Sequence, residues 1–259
     1  MAAAMLAATA SHPWTAIVCV ACALAGCALA FSFLPDCVKA LLARVIARAA
    51  GEGAPESGGC SSVVCGAADE DPDSLVSPGV RAACAGSFGV LCGWAACVSC
   101  TAGADSPSLS WGAFCFLAAG AALLVATACD VAARAIPREA CWILGGFGAL
   151  FQVAVAGPRS LAAGAAFGAF VAALCIGTNR WSMRRGGEGM VGGGDIRCMA
   201  ALSLASGHAA FAGFAACFLA AAAIAGAGCA LGALGRGATF PFAPFLCVWG
   251  LFGMGAAWV

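Results

Sequence analysis

The sequence predicts an all-α protein that crosses a membrane about eight times. Three observations carry that reading. The 259 residues are 63% hydrophobic and 9% charged, with a mean hydropathy of +0.99; a soluble domain carries roughly 25% charged residues. The apolar residues are gathered into long runs, most of them near the length that spans about 30 Å of hydrocarbon. The basic residues fall almost entirely into alternate gaps between those runs. Net charge is zero, which argues against nucleic acid as a partner.

The runs are 13–34, 83–102, 111–129, 139–157, 160–178, 195–207, 209–234 and 239–258. The first has no basic residue ahead of it, so it does not read as a cleavable signal peptide. Between the first two lies the one sizeable polar segment, 35–82. Its Gly51–Gly59 stretch and its acidic run Asp69–Asp73 read as flexible. Leu41–Ala50 can form a short basic helix at the membrane interface. The run 195–207 is short, rising roughly 20 Å as a helix. If it ends at the outer surface, in the turn Ser206-Gly207-His208, Asp195 lies some 10 Å below the inner surface. The glycine-rich stretch Gly186–Gly194 then dips inward, which irregular backbone does only where it lines protein or a wet cavity. Gly228-x-x-x-Gly232 reads as a face for close helix packing.

Orientation follows from charge. With the N-terminus outside, Lys39, Arg44, Arg48, Arg81, Arg134, Arg138, Arg180, Arg184, Arg185, Arg197 and Arg236 are cytoplasmic, and Arg159 is outside. That arrangement puts Asp130 and Asp195 on the cytoplasmic side. Segments 35–82, 130–138 and 179–194 should be accessible from the cytoplasm.

Eighteen cysteines would suggest a disulfide framework in a small secreted chain. Here most sit inside apolar runs, where cysteine acts as a small, soft hydrophobe that lets helices approach. Cys97-x-x-Cys100 has no histidine near it and does not read as a metal site. Cys60 and Cys65 differ in lying in the polar loop.

The chemistry is carried by two carboxylates. An ionisable residue at membrane depth is costly, so it marks a functional site by default. Asp195 follows Gly192-Gly193-Gly194 and opens an apolar helix. Asp130 closes an apolar run and is followed by Ile136-Pro137. Taken singly, Asp130 reads as a solvated helix end and Asp195 as a helix cap. Taken together, they suggest a membrane aspartyl protease. Buried acids and broken helices also mark ion paths, so a proton- or ion-coupled transporter is the rival reading. An assembly subunit without activity would not need both aspartates. Glu188 reads as loop solvation rather than a third carboxylate. His12 and His208 fall on the outer side, away from the chemistry.

These residues resemble the type IV prepilin peptidases. Asp130-x6-Pro137, with Ile136 before the proline, resembles the family's first motif. Gly192-x-Gly194-Asp195-Ile196-Arg197 resembles its second, at the start of a helix, and Phe240-Pro241-Phe242-Ala243-Pro244-Phe245 resembles the segment that opens its last helix. The resemblance covers about 83–259, a membrane-embedded peptidase domain with the presenilin-like Gly-x-Gly-Asp protease core, after a first span 1–34 and a cytoplasmic loop 35–82. It implies Asp130 and Asp195 as the catalytic pair. It implies Gly192, Gly194, Ile136, Pro137 and Arg197 as motif or substrate-binding residues. It implies neither metal nor cofactor, and a prepilin or pseudopilin precursor as the partner in a bacterial inner membrane. Two departures stand out. The family's Asn after Ile-Pro is Arg138 here. The first loop offers Cys60-x4-Cys65 and a distant Cys37 instead of two Cys-x-x-Cys pairs, so it lacks a four-cysteine zinc site and leaves N-methylation unsupported.

Overall fold

In a computed structural model of the chain, residues 13–51, 77–101, 107–187, 189, 191–232 and 241–257 are described. Among them the protein is all-helical, with no strand. Eight α-helices follow one another: α1 Pro13–Gly51, α2 Pro78–Thr101, α3 Pro107–Ala133, α4 Arg138–Val155, α5 Pro158–Arg184, α6 Gly193–Ser206, α7 Ala210–Ala230 and α8 Ala243–Ala256. Each predicted run corresponds to one helix. A 3-10 turn, Gly207–Ala209, separates α6 from α7 where Ser206-Gly207-His208 suggested a break.

Length and composition by themselves support fewer spans than the eight expected. Among the described residues five runs are long and apolar enough to cross a membrane: Ile17–Leu34, Pro78–Cys97, Trp111–Ala133, Pro158–Arg184 and Gly193–Ala230. The last takes α6 and α7 together, because α6 alone has 14 residues and rises about 21 Å. α8 is apolar but equally short.

Helix ends also differ from expectation. α1 does not stop at Leu34; it runs on through Leu41–Ala50 to Gly51, so that stretch is the end of a long helix and not a separate one. α5 continues past 178 to Arg184. Gly232 does not sit on a packing face. It lies beyond α7 with φ +68°, and no atom lies near where its Cβ would be. It therefore ends the helix in the left-handed conformation that glycine adopts freely.

α6 sits at the centre, packed by α4, α5, α7 and α8. Two close approaches put it there. A Cβ on Gly148 of α4 would strike Ala205, and one on Gly164 of α5 would strike the Ser203 carbonyl. Small residues let the backbones meet, as in helix pairs that pack within lipid. Around α6 the main core gathers Phe116, Leu144, Phe151, Met199, Leu202, Leu246 and Trp249. A smaller cluster, Leu34, Val38, Cys84, Ala128, Cys129 and Ala133, joins α1, α2 and α3 at one end. The outer faces carry exposed apolar side chains, including Leu24, Phe33, Phe170, Leu174, Phe211 and Leu219. Exposed tryptophans mark both ends of the bundle, Trp142 and Trp181 at one and Trp111 at the other. Such rings favour the two interfaces of a bilayer.

Candidate active site

α3 ends, and α4, α6 and α8 begin, at the same end of the bundle. Asp130 lies in the last turn of α3 and is 7% exposed. One carboxylate oxygen, Oδ2, accepts the backbone N–H of Ala243 at 3.0 Å. Ala243 is the first residue of α8, with Pro244 behind it. The first N–H groups of a helix have no partner within the helix, and its N-terminus carries partial positive charge. A buried carboxylate is therefore held where a helix can satisfy it. Thr127, one turn earlier, strengthens the same contact. Its hydroxyl donates to the Leu123 carbonyl at 2.9 Å and lies 3.0 Å from Cys247 Sγ.

The connection from α3 to α4 is short and tightly shaped. The N–H of Arg134 still bonds the Asp130 carbonyl at 2.9 Å, but its φ is +52°. This left-handed residue turns the chain. Ile136 and Pro137 are then buried, and Pro137 caps α4 with φ −63° and ψ 135°. Ile136 faces Gly194: a Cβ there would lie 3.1 Å from the Ile136 Cβ. The two motifs thus touch through an isoleucine and a glycine.

Asp195 is the third residue of α6, because the helix begins at Gly193 and not at 195. Gly192 caps it. The Asp195 carboxylate reaches back to accept the N–H of Gly192. That is the side-chain half of a capping box, in which the third residue satisfies the cap's own N–H. A Cβ on Gly192 would crowd the Asp195 Oδ2 at 2.9 Å. Asp130 and Asp195, 65 positions apart in the chain, lie close enough for their charges to interact. Asp195 is therefore not the N-cap that its place after the glycines suggested; Gly192 is, and Asp195 sits at the third position of the helix, within range of the Asp130 charge.

Arg197 is exposed, and its Nε donates to the Gly193 carbonyl at 2.9 Å, so it braces the first turn of α6. Arg134, Arg138, Arg180, Arg184 and Arg185 surround the same end. The Arg185 guanidinium sits 3.9 Å from the Trp181 ring centroid. Arg159 and His208 are at the opposite end. Glu188, His12, Arg236, Phe240, Cys60 and Cys65 fall outside the described residues. Among the described residues no group of three or more His, Cys, Asp or Glu could hold a metal ion.

Two features went unread in the sequence. Asn179, on α5, pairs its carboxamide with the backbone of Val191. Cys141 of α4 and Cys198 of α6 share a thiol hydrogen bond beside Asp195.

Residues 117–231 match the type IV leader peptidase family. The matched stretch runs from within α3 to just past α7 and takes in both aspartates, Ile136-Pro137 and the glycine loop. The resemblance seen in the motifs is thereby borne out over this segment. The Phe240–Phe245 segment lies beyond it. The family match gives the transporter reading no support. No curated protein and no solved structure matches the chain.

Proposed function

We propose that the chain is a membrane aspartyl endopeptidase that removes the leader from type IV prepilin or pilin-like precursors, with Asp130 and Asp195 as its catalytic pair. The observation that carries the reading is the convergence of these two carboxylates at one end of the bundle, inside the segment that matches the leader peptidase family.

Two carboxylates sharing a site hold one proton between them. The ionised member takes a proton from a water, which attacks the scissile carbonyl. The protonated member donates to the developing oxyanion. Two hydrogen bonds from helix starts, Ala243 N–H to Asp130 and Gly192 N–H to Asp195, fix each carboxylate without occupying all of its lone pairs. No covalent intermediate is needed. The substrate presents a basic leader in the cytoplasm and an apolar helix in the bilayer, and the cut falls at their junction.

The eight helices are proposed as the spans of a bacterial inner-membrane protein with its N-terminus outside. The exposed arginines at the aspartate end, against Arg159 at the other, support this orientation. N-methylation of the product is not part of the proposal.

The test is co-expression with candidate pilin-like precursors in membranes, followed by N-terminal sequencing of the product with chelator present. Cleavage at the leader junction, lost on Asp195→Asn at unchanged protein level, is the expected result. Full cleavage by Asp195→Asn would overturn the mechanism.

A further inference from the structure

Asn179 lies five residues before the end of α5, about 7.5 Å inside it along the helix axis. The chain leaves α5 at Arg184, and Gly186 and Gly187 close the helix through bonds to the Met183 and Ser182 carbonyls. It then returns toward the bundle, and at Val191 it meets Asn179. The Asn179 Nδ2 donates to the Val191 carbonyl at 2.7 Å, and the Val191 N–H donates to Asn179 Oδ1 at 2.9 Å. The carboxamide thus pairs with a single residue's backbone at both its donor and its acceptor.

The next atom along the chain gives this pairing its consequence. The Val191 carbonyl belongs to the same peptide unit as the Gly192 N–H. A peptide is planar, with its C=O and N–H pointing in opposite directions. Fixing the carbonyl on Asn179 therefore aims the N–H the other way, and that N–H is the one the Asp195 carboxylate accepts. Glycine at 192, 193 and 194 leaves the backbone little intrinsic preference of its own. Hydrogen bonds in series also polarise one another.

We propose that Asn179 is a positioning residue: it orients the Val191–Gly192 peptide and through it the Asp195 carboxylate. The inference rests on the peptidase reading for its effect on turnover, while its effect on the loop does not depend on that reading.

The experiment compares Asn179→Ala and Asn179→Asp with the unaltered protein and with Asp195→Asn, all in membranes. Asn179→Ala removes both bonds. Asn179→Asp keeps an acceptor for the Val191 N–H but sets a carboxylate oxygen against the Val191 carbonyl. Misalignment of a reacting group costs up to about a hundredfold in rate, so kcat on a cleavable precursor should fall between about tenfold and a hundredfold for both variants. KM should stay within about twofold, because the change acts on the orientation of the Asp195 carboxylate. Trypsin should cut at Arg185 faster in both variants, while the thermal unfolding midpoint stays unchanged.

Unaltered kcat in the Asn179 variants, with Asp195→Asn inactive, would overturn the positioning role and leave the peptidase reading standing. A kcat loss matched by a lower unfolding midpoint in both variants would also overturn it, since Asn179 would then be supporting the fold. Full activity in Asp195→Asn would remove the peptidase reading instead. The rate of trypsin cleavage then decides alone whether Asn179 holds the loop.

Discussion

The two ends of the bundle bury polar groups in opposite ways. At the end away from the aspartates, Gln152 of α4 is 0% exposed. Its Nε2 donates to the Ala205 carbonyl at 2.6 Å, and its Oε1 accepts the Ser160 hydroxyl at 2.8 Å. Ser160 Oγ in turn accepts the backbone N–H of His208 at 3.1 Å and lies 2.8 Å from His208 Nδ1. A serine hydroxyl has one proton. With that proton given to Gln152, His208 presents Nδ1–H to Ser160. This network contains no carboxylate and its members satisfy one another. It ties the α4–α5 turn to the α6–α7 turn, where Gly207 has a φ of +56° and a Cβ would run into Ser160 and Gln152, so both the backbone and the space favour glycine.

The aspartate end is charged and left open. Asp130 and Asp195 each take one backbone N–H from a helix start and keep further lone pairs unused. Two carboxylates within reach of each other's charge are an unfavourable arrangement that a fold does not need. The Gln152 network achieves the same joining of elements without placing two carboxylates together. The difference separates a network that joins elements of the fold from a pair of carboxylates that the proposed chemistry accounts for.

Several changes would break or sharpen that contrast. The largest effect on folding should come from Gln152→Leu, which leaves the Ala205 carbonyl and the Ser160 hydroxyl short of a partner. An unsatisfied buried group costs about 1–3 kcal/mol, so membrane level and thermal unfolding midpoint should drop. Cleavage per folded molecule should remain as before; a selective loss of turnover would show that the two ends are coupled. Gly194→Ala should do the reverse. Its Cβ would press on Ile136, which must give by a few tenths of an ångström. Turnover should fall several-fold, since an ångström of misplacement costs up to about a hundredfold, with little change in unfolding. Equal activity would mean that the Ile136–Gly194 contact does not set the distance between the carboxylates. The smallest effect is expected at Arg134. A left-handed conformation costs a residue with a Cβ about 1 kcal/mol, so Arg134→Gly should raise the unfolding midpoint slightly. A lower midpoint would show that the guanidinium contributes more than its backbone costs.

How much of this was legible in the sequence depends on the physics of each region. Hydropathy over about twenty residues is a strong signal, and all eight runs have a corresponding helix. Helix ends were weaker, because a helix leaving an apolar layer continues in polar residues. Trp181 and Met183 prolong α5, and Leu41–Ala50 prolongs α1, without an apolar run to show it. Gly193 and Gly194 are poor helix formers, so nothing local indicated that α6 begins with them. The aspartates and their Ile-Pro and glycine neighbours were readable, since a carboxylate within an apolar chain stands out. Asn179 was not. A single amide in the basic tail of a helix has no periodicity, and its partner is a backbone group twelve residues away. Gln152 did carry a signal: an amide inside the apolar run 139–157 must find a partner when buried.

The central claim is that Asp130 and Asp195 act as one unit. The most direct measurement is a double-mutant cycle, with Asp130→Asn, Asp195→Asn and the double variant assayed for precursor cleavage at matched protein level. Each single change should cost at least about 10²-fold, the lower end of what general acid–base help supplies. The double variant should be hardly slower than either single one, because groups that act as a unit are non-additive. Unfolding midpoints should stay together across the set. Losses that multiply in the double variant would contradict the account, since they would mean that the two carboxylates work separately.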